Sequence, residues 1–531
     1  MGADEGPVAP DEDPEGPITA HRRRRSRIVE DMGGADRIAQ LHAQGKRTAR
    51  EHLAALCDPG SFEELGTFAV SERPDDRAST PGDGKIAGAA LIDGRPVGLV
   101  VDDVTVKRAT SSLVGARKIR RVYDQALRGG HPFVYIGETG GARIPDTLSA
   151  EGYASEPVFP WLAGRRRQIP VATAVVGDSF GGSSFIAGMS DFVVMTRRAT
   201  LAVTSPRVVE VATGEVVTME DLGGADVHER TTGQVSLVVD DDQQACDAIR
   251  RFLSYLPPNA WSAPPRAGAG DGAARPAPDP GLAALVPRRR TQAYDMRTVV
   301  ERIVDAGTWM ELRPRFGRSL LTGLARIHGH AVGVIASQPA YEAGTLGPDA
   351  CDKAVQLLCT CDAFNLPVVF LQDTPGFLVG RRAEHGRVLH KAMLLIEALT
   401  LAGVPRLTVV VRKAFGLAYF ALGGSGQGSD LLVAWPGAEI GFMDPVAGAN
   451  ALHGGELAAL GEPERARRLG ELADGLRTAT DPYQVAGAMQ LDEIIDPATT
   501  RSVLAGALER HAGLPRSPGA DRPLAAWPTG W

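Results

Sequence analysis

The main chemical potential of this sequence lies in main-chain amides at glycine turns. Residues 368–371 form a short apolar run, broken by Asp373-Thr374-Pro375-Gly376. Apolar residues at helical spacing follow over 388–401, then a β-branched run over 407–411, a turn over 412–416 and a further helix from 417 to 422. A run that is apolar on both faces reads as a parallel strand covered by helices. Each turn therefore lies at the carboxyl end of a strand and opens a helix. Backbone N–H groups there lack intrahelical partners and point at one spot, where an oxyanion can sit. No Ser/His/Asp or metal-ligand constellation stands out. Cys359-Thr360-Cys361 has the wrong spacing for a zinc knuckle, and no second pair or histidine cluster completes one.

The same passage occurs twice. At a constant offset of 235, Pro367 falls on Pro132, Thr374-Pro375-Gly376 on Thr139-Gly140-Gly141, Phe415-Gly416 on Phe180-Gly181 and Gly423 on Gly188. Upstream, Gly323, Ala325, Ile327, Gly329, Val332 and Gly333 fall on Gly88, Ala90, Ile92, Gly94, Val97 and Gly98. After Gly423 the second copy gains four residues, and Ser429-Asp430 then matches Ser190-Asp191. A repeat this long means two homologous domains rather than a solenoid. The positions that could hold an oxyanion are therefore doubled.

The bulk properties bound the rest. For 531 residues, a prior of roughly 150 residues per domain gives three or four domains, and the duplication overrides it in favour of two large ones. With 44% hydrophobic residues there is material for two cores. A net charge of −7 argues against broad nucleic-acid or membrane-surface binding. The five cysteines are scattered, the N-terminus has no apolar signal stretch, and no run of about 18 apolar residues could span a membrane. A reduced cytoplasmic setting is expected.

Along the chain, residues 1–26 read as a disordered tail, acidic and Pro/Gly-rich at first, with the basic run 22–25 a solvated start to the first helix. Residues 27–256 make the first domain, 257–290 a Pro/Ala/Gly-rich linker, 291–515 the second domain and 516–531 a loose tail.

With DTPGF and RKAFG in its second copy, the chain resembles the carboxyltransferase β subunits of biotin-dependent acyl-CoA carboxylases, of the acetyl-/propionyl-CoA carboxylase type, a branch of the crotonase-like superfamily. The resemblance runs nearly end to end. GKRTAREHLAALCDPGSFEELG (45–66), PGDGKIAGAALIDGRPV (81–97), GGARIPD (140–146), YDMRTVVERIVDAG (294–307), CDAFNLPVVFLQDTPGFLVG (361–380), VRKAFGLAY (411–419) and AWPGAEI (434–440) stand in family order. It implies an α/β fold of two tandem crotonase-like (ClpP/crotonase) domains built from β-β-α units. It also implies a reaction in which carboxybiotin releases CO2 and its ureido nitrogen takes the α-proton of an acyl-CoA. The protein's task is then to stabilise the thioester enolate and the biotin enolate with preorganised amides.

By residue matching, Gly181 and Gly182 would hold the thioester oxygen. Leu417 and Ala418 would hold the biotin carbonyl, with Gly416 making the turn. Gly140, Gly141, Ala142 and Arg143 match a loop close to the acyl-CoA. Lys107 and Arg108 stand where the family has an aromatic residue and glycines; they either contact CoA phosphates or are solvated loop charges. Phe420 either shapes the acyl pocket or packs in the core. Leu417 replaces a frequent second glycine, and Ser183 and Ser184 replace small apolar residues. No metal is expected. Ala488-Met489-Gln490-Leu491 lacks the lysine to which a carrier domain attaches biotin, and no ATP-binding loop is present. The resemblance thus implies biotin on a partner subunit carrying biotin carboxylase and biotin carboxyl carrier functions, a coenzyme A thioester substrate, and a homohexamer. Two other readings stand beside it: a biotin-independent acyl-CoA decarboxylase or other thioester-enolate enzyme on the same fold, and a non-catalytic structural partner of an active β subunit.

Overall fold

The computed structural model describes residues 16–147, 150, 162, 164, 166–268, 274–511 and 521–527. It contains two eight-stranded sheets. The first comprises β1 (Glu63–Leu65), β2 (Lys85–Ile92), β3 (Arg95–Asp102), β4 (Phe133–Thr139), β5 (Val171–Phe180), β6 (Phe192–Thr196), β7 (Thr200–Ala202) and β8 (Leu237–Val239). The second comprises β9 (Met310–Leu312), β10 (Leu320–Ile327), β11 (His330–Ser337), β12 (Val368–Thr374), β13 (Arg406–Phe415), β14 (Leu431–Ala434), β15 (Glu439–Gly441) and β16 (Glu493–Ile494). Strand order is β1-β2-β3-β4-β5-β6-β8 in one and β9-β10-β11-β12-β13-β14-β16 in the other, with β7 on β5 and β15 on β13. In each, an antiparallel hairpin leads through a crossover helix into parallel strands, so the expected α/β fold of duplicated β-β-α units is present.

The repeat holds at the level of register. Phe133 pairs with Val171 and Val368 with Arg406, and the ladder shifts between Gly137 and Thr139 as it does between Gln372 and Thr374. Beyond the shift, β5 and β13 keep β4 and β12 but exchange β6 and β14 for β7 and β15. This places the two glycine turns at the ends of their longest strands.

The sequence explains the crossover helices locally. Leu113–Gly129 starts at Ser112, whose hydroxyl accepts from the Gly115 amide, and stops at left-handed Gly130. Pro348–Ala363 has Pro at its first position. That second helix is buried nearly all round, and its Leu358 and the capping Phe364 share one core with Ile249 and Phe252 of the first domain. A fully buried Leu or Phe side chain contributes about 1.5–3 kcal/mol, so this shared core holds the two sheets together.

Three boundaries differ from expectation. A helix Gly16–Asp31 starts before residue 26; none of its side chains is buried, and the basic run 22–25 is solvated as expected. The described residues of the 257–290 linker add no strand, yet Ala260 and Leu282 are buried. Residues 521–527 are not loose. Leu524 is fully buried in the main core, and the Arg167 guanidinium donates to the carbonyls of Leu524, Ala525 and Trp527, each at 3.0 Å.

Candidate active site

β5 ends at Phe180, and Gly181 then adopts φ 61°, ψ −127°; β13 ends at Phe415, and Gly416 adopts φ 61°, ψ −150°. Side-chain-bearing residues pay heavily in that region, whereas glycine enters it freely. The Gly181 N–H donates to Val203 O (3.1 Å) and the Gly416 N–H to Gly441 O (2.9 Å). These bonds anchor the turns to the strands alongside. Short helices Gly182–Gly188 and Leu417–Ala421 follow. Their first two amides, Gly182 and Ser183 in one and Leu417 and Ala418 in the other, reach no carbonyl outside the helix among the described residues, and a first turn supplies none.

One expectation is corrected here. Gly181 is not a free donor, because its amide is committed to Val203; it plays the part assigned to Gly416. The open amides are those of Gly182 and Ser183. Leu417 stands outside the left-handed residues, so it offers its N–H as a glycine would, and its half-exposed side chain lies clear.

The Gly140–Arg143 loop lies against the first turn. A Cβ built on Gly181 would come within 4.0 Å of Ala142 N and Gly141 Cα, and one on Gly141 within 3.7 Å of Phe180 Cβ. Thr139 Oγ1 accepts from the Gly141 amide at 3.3 Å, and Thr374 Oγ1 accepts from Gly376 at 3.2 Å. The 107–112 loop closes the other side. Lys107, Arg108 and Ala109 are all left-handed, and so are their counterparts Glu342, Ala343 and Gly344. Three successive residues there are strained unless held. Ala109 O accepts from Lys85 Nζ and Thr139 Oγ1, both at 2.8 Å, and Gly140 N donates to Arg108 O at 3.0 Å. Ser111 N donates to Gly141 O and Arg143 N to Ser111 O, both at 2.8 Å, and Leu346 and Leu378 repeat that pair in the second domain.

Arg143 is the second correction. Its guanidinium is buried, 2.5 Å from Asp83 Oδ1, with Nε 3.3 Å from Thr110 Oγ1. It braces the 107–112 loop from behind, while Ala142 is exposed. Lys107 Nζ lies 3.2 Å from Asp76, and Arg108, with 70% of its side chain exposed, lies 3.3 Å from Asp178. Arg108 and Lys107 line a cleft of about 450 Å³ with Arg37, Lys46, Glu138 and Gly140. Burial pushes the Glu138 carboxyl up, and Lys46 Nζ at 2.7 Å opposes that shift. Asp178 also lines the cleft, and Lys46, Lys107 and Arg108 each meet a carboxylate, so its four cations exceed its two acids.

At the second turn, Phe420 is 39% exposed and meets Tyr419 edge-on at 5.1 Å, so it is a surface ring beside the turn and not core packing. Phe442 is 83% exposed, and a Cβ on Gly416 would sit 3.2 Å from its carbonyl oxygen. Behind the turn, buried Asp373 takes Arg412 Nε at 2.9 Å and Lys413 Nζ at 3.7 Å; burial lowers the Lys413 pKa. Sequence reasoning missed Ser111, whose Oγ would lie 3.2 Å from a Cβ on Gly182, and the hydroxyl of Ser183. Among the described residues, no cluster of His, Cys, Asp and Glu could hold a metal, and no helix is long and apolar enough to cross a membrane.

The chain is similar to known proteins over most of its length. Residues 40–519 match the carboxyl transferase domain family. The chain is 36% identical over 491 residues to the methylmalonyl-CoA carboxyltransferase 12S subunit of Propionibacterium freudenreichii subsp. shermanii, covering 91% of this chain and 92% of that one. It is 36% identical over 527 residues to the propionyl-CoA carboxylase beta chain of Saccharopolyspora erythraea, covering 94% and 95%. Among solved structures, the transcarboxylase 12S hexamer with hydrolysed methylmalonyl-coenzyme A bound superposes with a TM-score of 0.87 at 33% identity, covering 96% of this chain and 98% of that one. With its duplicated crotonase-like sheets and its paired glycine turns, the chain belongs to the carboxyl transferase family.

Proposed function

We propose that this chain moves a carboxyl group from carboxybiotin, carried on a partner subunit, to the α-carbon of a short-chain acyl-CoA through its enolate. The observation that carries this reading is the pair of matched turns, in which Gly181 and Gly416 share one unusual conformation and each leaves two open amides. Bound carboxybiotin supplies the CO2 and, once that is released, the base for the α-proton. The amides of Gly182 and Ser183 accept the negative charge that develops on the thioester oxygen. The amides of Leu417 and Ala418 do the same for the biotin carbonyl, and exposed Phe420 and Phe442 offer apolar surface beside it. Lys107 and Arg108, with Arg37 and Lys46, hold CoA phosphates at the cationic rim of the cleft. The transcarboxylase 12S structure is a hexamer, and the same assembly is proposed here.

The test is carboxyl transfer by the purified chain to an acyl-CoA panel, with and without a carboxylated biotin donor. Donor-dependent carboxylation is the expected result. CO2 release from malonyl-CoA or methylmalonyl-CoA without a biotin acceptor would replace this reading with a biotin-independent decarboxylase. Silence across the panel, with the hexamer intact, would replace it with a structural partner.

A further inference from the structure

The turn that carries Arg108 is held by anchors that the second domain does without. Lys107, Arg108 and Ala109 are left-handed, at φ 49°, 52° and 50°, and Glu342, Ala343 and Gly344 repeat that conformation at the same offset. Gly344 enters it freely, whereas the Cβ of Ala109 resists it. The Ala109 carbonyl is gripped twice, by Lys85 Nζ and by Thr139 Oγ1, each at 2.8 Å. The Arg108 carbonyl accepts from the Gly140 amide at 3.0 Å. Among the described residues no side chain takes the Gly344 carbonyl. Pro375, at the place of Gly140, has no N–H to give, and Thr374 turns its hydroxyl to Gly376 O.

Lys85 is itself fixed from behind. Its Nζ lies 2.5 Å from Asp102 Oδ1. Asp102 also accepts from the Tyr135 hydroxyl, at 2.9 and 3.0 Å, and from the Glu138 amide at 3.2 Å. Lys85, Asp102 and Tyr135 are all buried. A buried ammonium is costly unless it is both paired and hydrogen-bonded, and here one carboxylate and one carbonyl meet both conditions. In their places the second copy has Leu320, Ser337 and Phe370. The left-handed turn forms there without a buried charge, so the fold alone does not call for the pair.

What the first turn carries and the second does not is Arg108, whose counterpart is Ala343. Arg108 lies along Gly140, since a Cβ built on Gly140 would be 3.4 Å from both Arg108 Cβ and Arg108 Nε. Its Nη2 ends 3.3 Å from Asp178, whose counterpart is Lys413. A guanidinium has further N–H groups in the same fork, and this one lines the cleft with Arg37, Lys46 and Lys107.

We propose that Lys85 and Asp102 are positioning residues for coenzyme A: by gripping the Ala109 carbonyl, the pair fixes the turn that holds Arg108 across Gly140, ready for a phosphate. This rests on the reading of the cleft's cations as the site of the CoA phosphates.

The test is calorimetric binding of CoA to the intact oligomer. Lys85→Leu/Asp102→Ser/Tyr135→Phe installs residues that the homologous domain already accommodates, and it leaves neither charge of the pair stranded. Roughly tenfold weaker CoA binding is expected in that triple variant and in Arg108→Ala, the loss of one charge-assisted hydrogen bond. Combining the two should cost no more than about a further twofold, because the pair acts through Arg108. Amide hydrogen exchange should quicken over 105–112 and stay unchanged over 340–347. If the triple variant does not assemble, Lys85→Met/Asp102→Asn removes both charges, keeps an acceptor for Tyr135 and carries the same expectations. CoA binding within about twofold of wild type in an assembled variant overturns the proposal, as does unaltered exchange over 105–112. So does an additive loss of about a hundredfold in the combination, which a general structural defect would give. Arg108→Ala separates the two readings. If it binds CoA as the wild type does, the phosphate reading falls and takes the proposal with it; if it is weakened while the triple variant binds normally, only the positioning role falls.

Discussion

Gly182→Pro removes one amide proton and sets the ring Cδ in its place. Gly182 is the first residue of its helix, where proline's fixed φ suits the chain and its missing N–H breaks no helical bond. Among the described residues the Gly182 amide reaches no carbonyl outside the helix, so no structural hydrogen bond to them is lost. Among the described residues the only atom within 4 Å of a Cβ there is Ser111 Oγ at 3.2 Å, a hydroxyl that can rotate away. A substitution free of cavity, buried charge or backbone strain changes stability by only about 0.5 kcal/mol. The catalytic loss is far larger: one oxyanion donor is worth roughly 10²–10³ in kcat, about 2.7–4 kcal/mol. Gly182→Ala retains the N–H and is the control, expected within a few-fold of wild type. The assay is steady-state carboxyl transfer from a carboxylated biotin donor, with size-exclusion chromatography to confirm the oligomer. Wild-type turnover in a correctly assembled Gly182→Pro protein would refute the role given to that amide.

Three further outcomes follow from buried groups elsewhere. Arg143→Leu strands the fully buried Asp83, and breaking such a pair costs roughly 3–5 kcal/mol, to be read by thermal or denaturant melting. Arg167→Leu removes the donor to three carbonyls of the 521–527 segment; lower melting and new proteolytic cleavage there are expected. Burial pushes the His52 imidazole from 6.5 down to about 4, with Asp242 at 3.8 Å opposing. Between those values the unfolded chain binds more protons than the folded one, so stability rises with pH. This contribution is complete above pH 6.5 and lost as pH falls toward 4. His52→Gln should flatten the pH dependence of melting across that window, and an unchanged slope counts against the shift.

The duplication was legible because one constant offset links glycines, prolines and apolar positions, and the same offset links strand registers, left-handed turns and individual hydrogen bonds. The helix Val388–Leu401 and the turns at Gly181 and Gly416 follow from local signals that glycine and hydrophobic periodicity carry. Long-range pairings were not legible. The Gly181 amide is consumed by Val203, twenty-two residues on, because β7 pairs beside β5. Arg143 finds Asp83 through folding of the 107–112 loop, which no spacing rule contains. The helix from Gly16 was hidden by Pro/Gly-rich, acidic neighbours, and the docking of Leu524 by the prolines around it.

The most direct test is the infrared carbonyl stretch of an acyl-CoA labelled with 13C at its thioester carbon, recorded bound and free. Polarisation by the Gly182 and Ser183 amides predicts a downshifted band in the wild type, the same downshift in Leu417→Pro, and a band near the free value in Gly182→Pro. An unshifted band in the wild type, or an equal downshift in Gly182→Pro, would contradict the assignment of the first turn to the thioester oxygen.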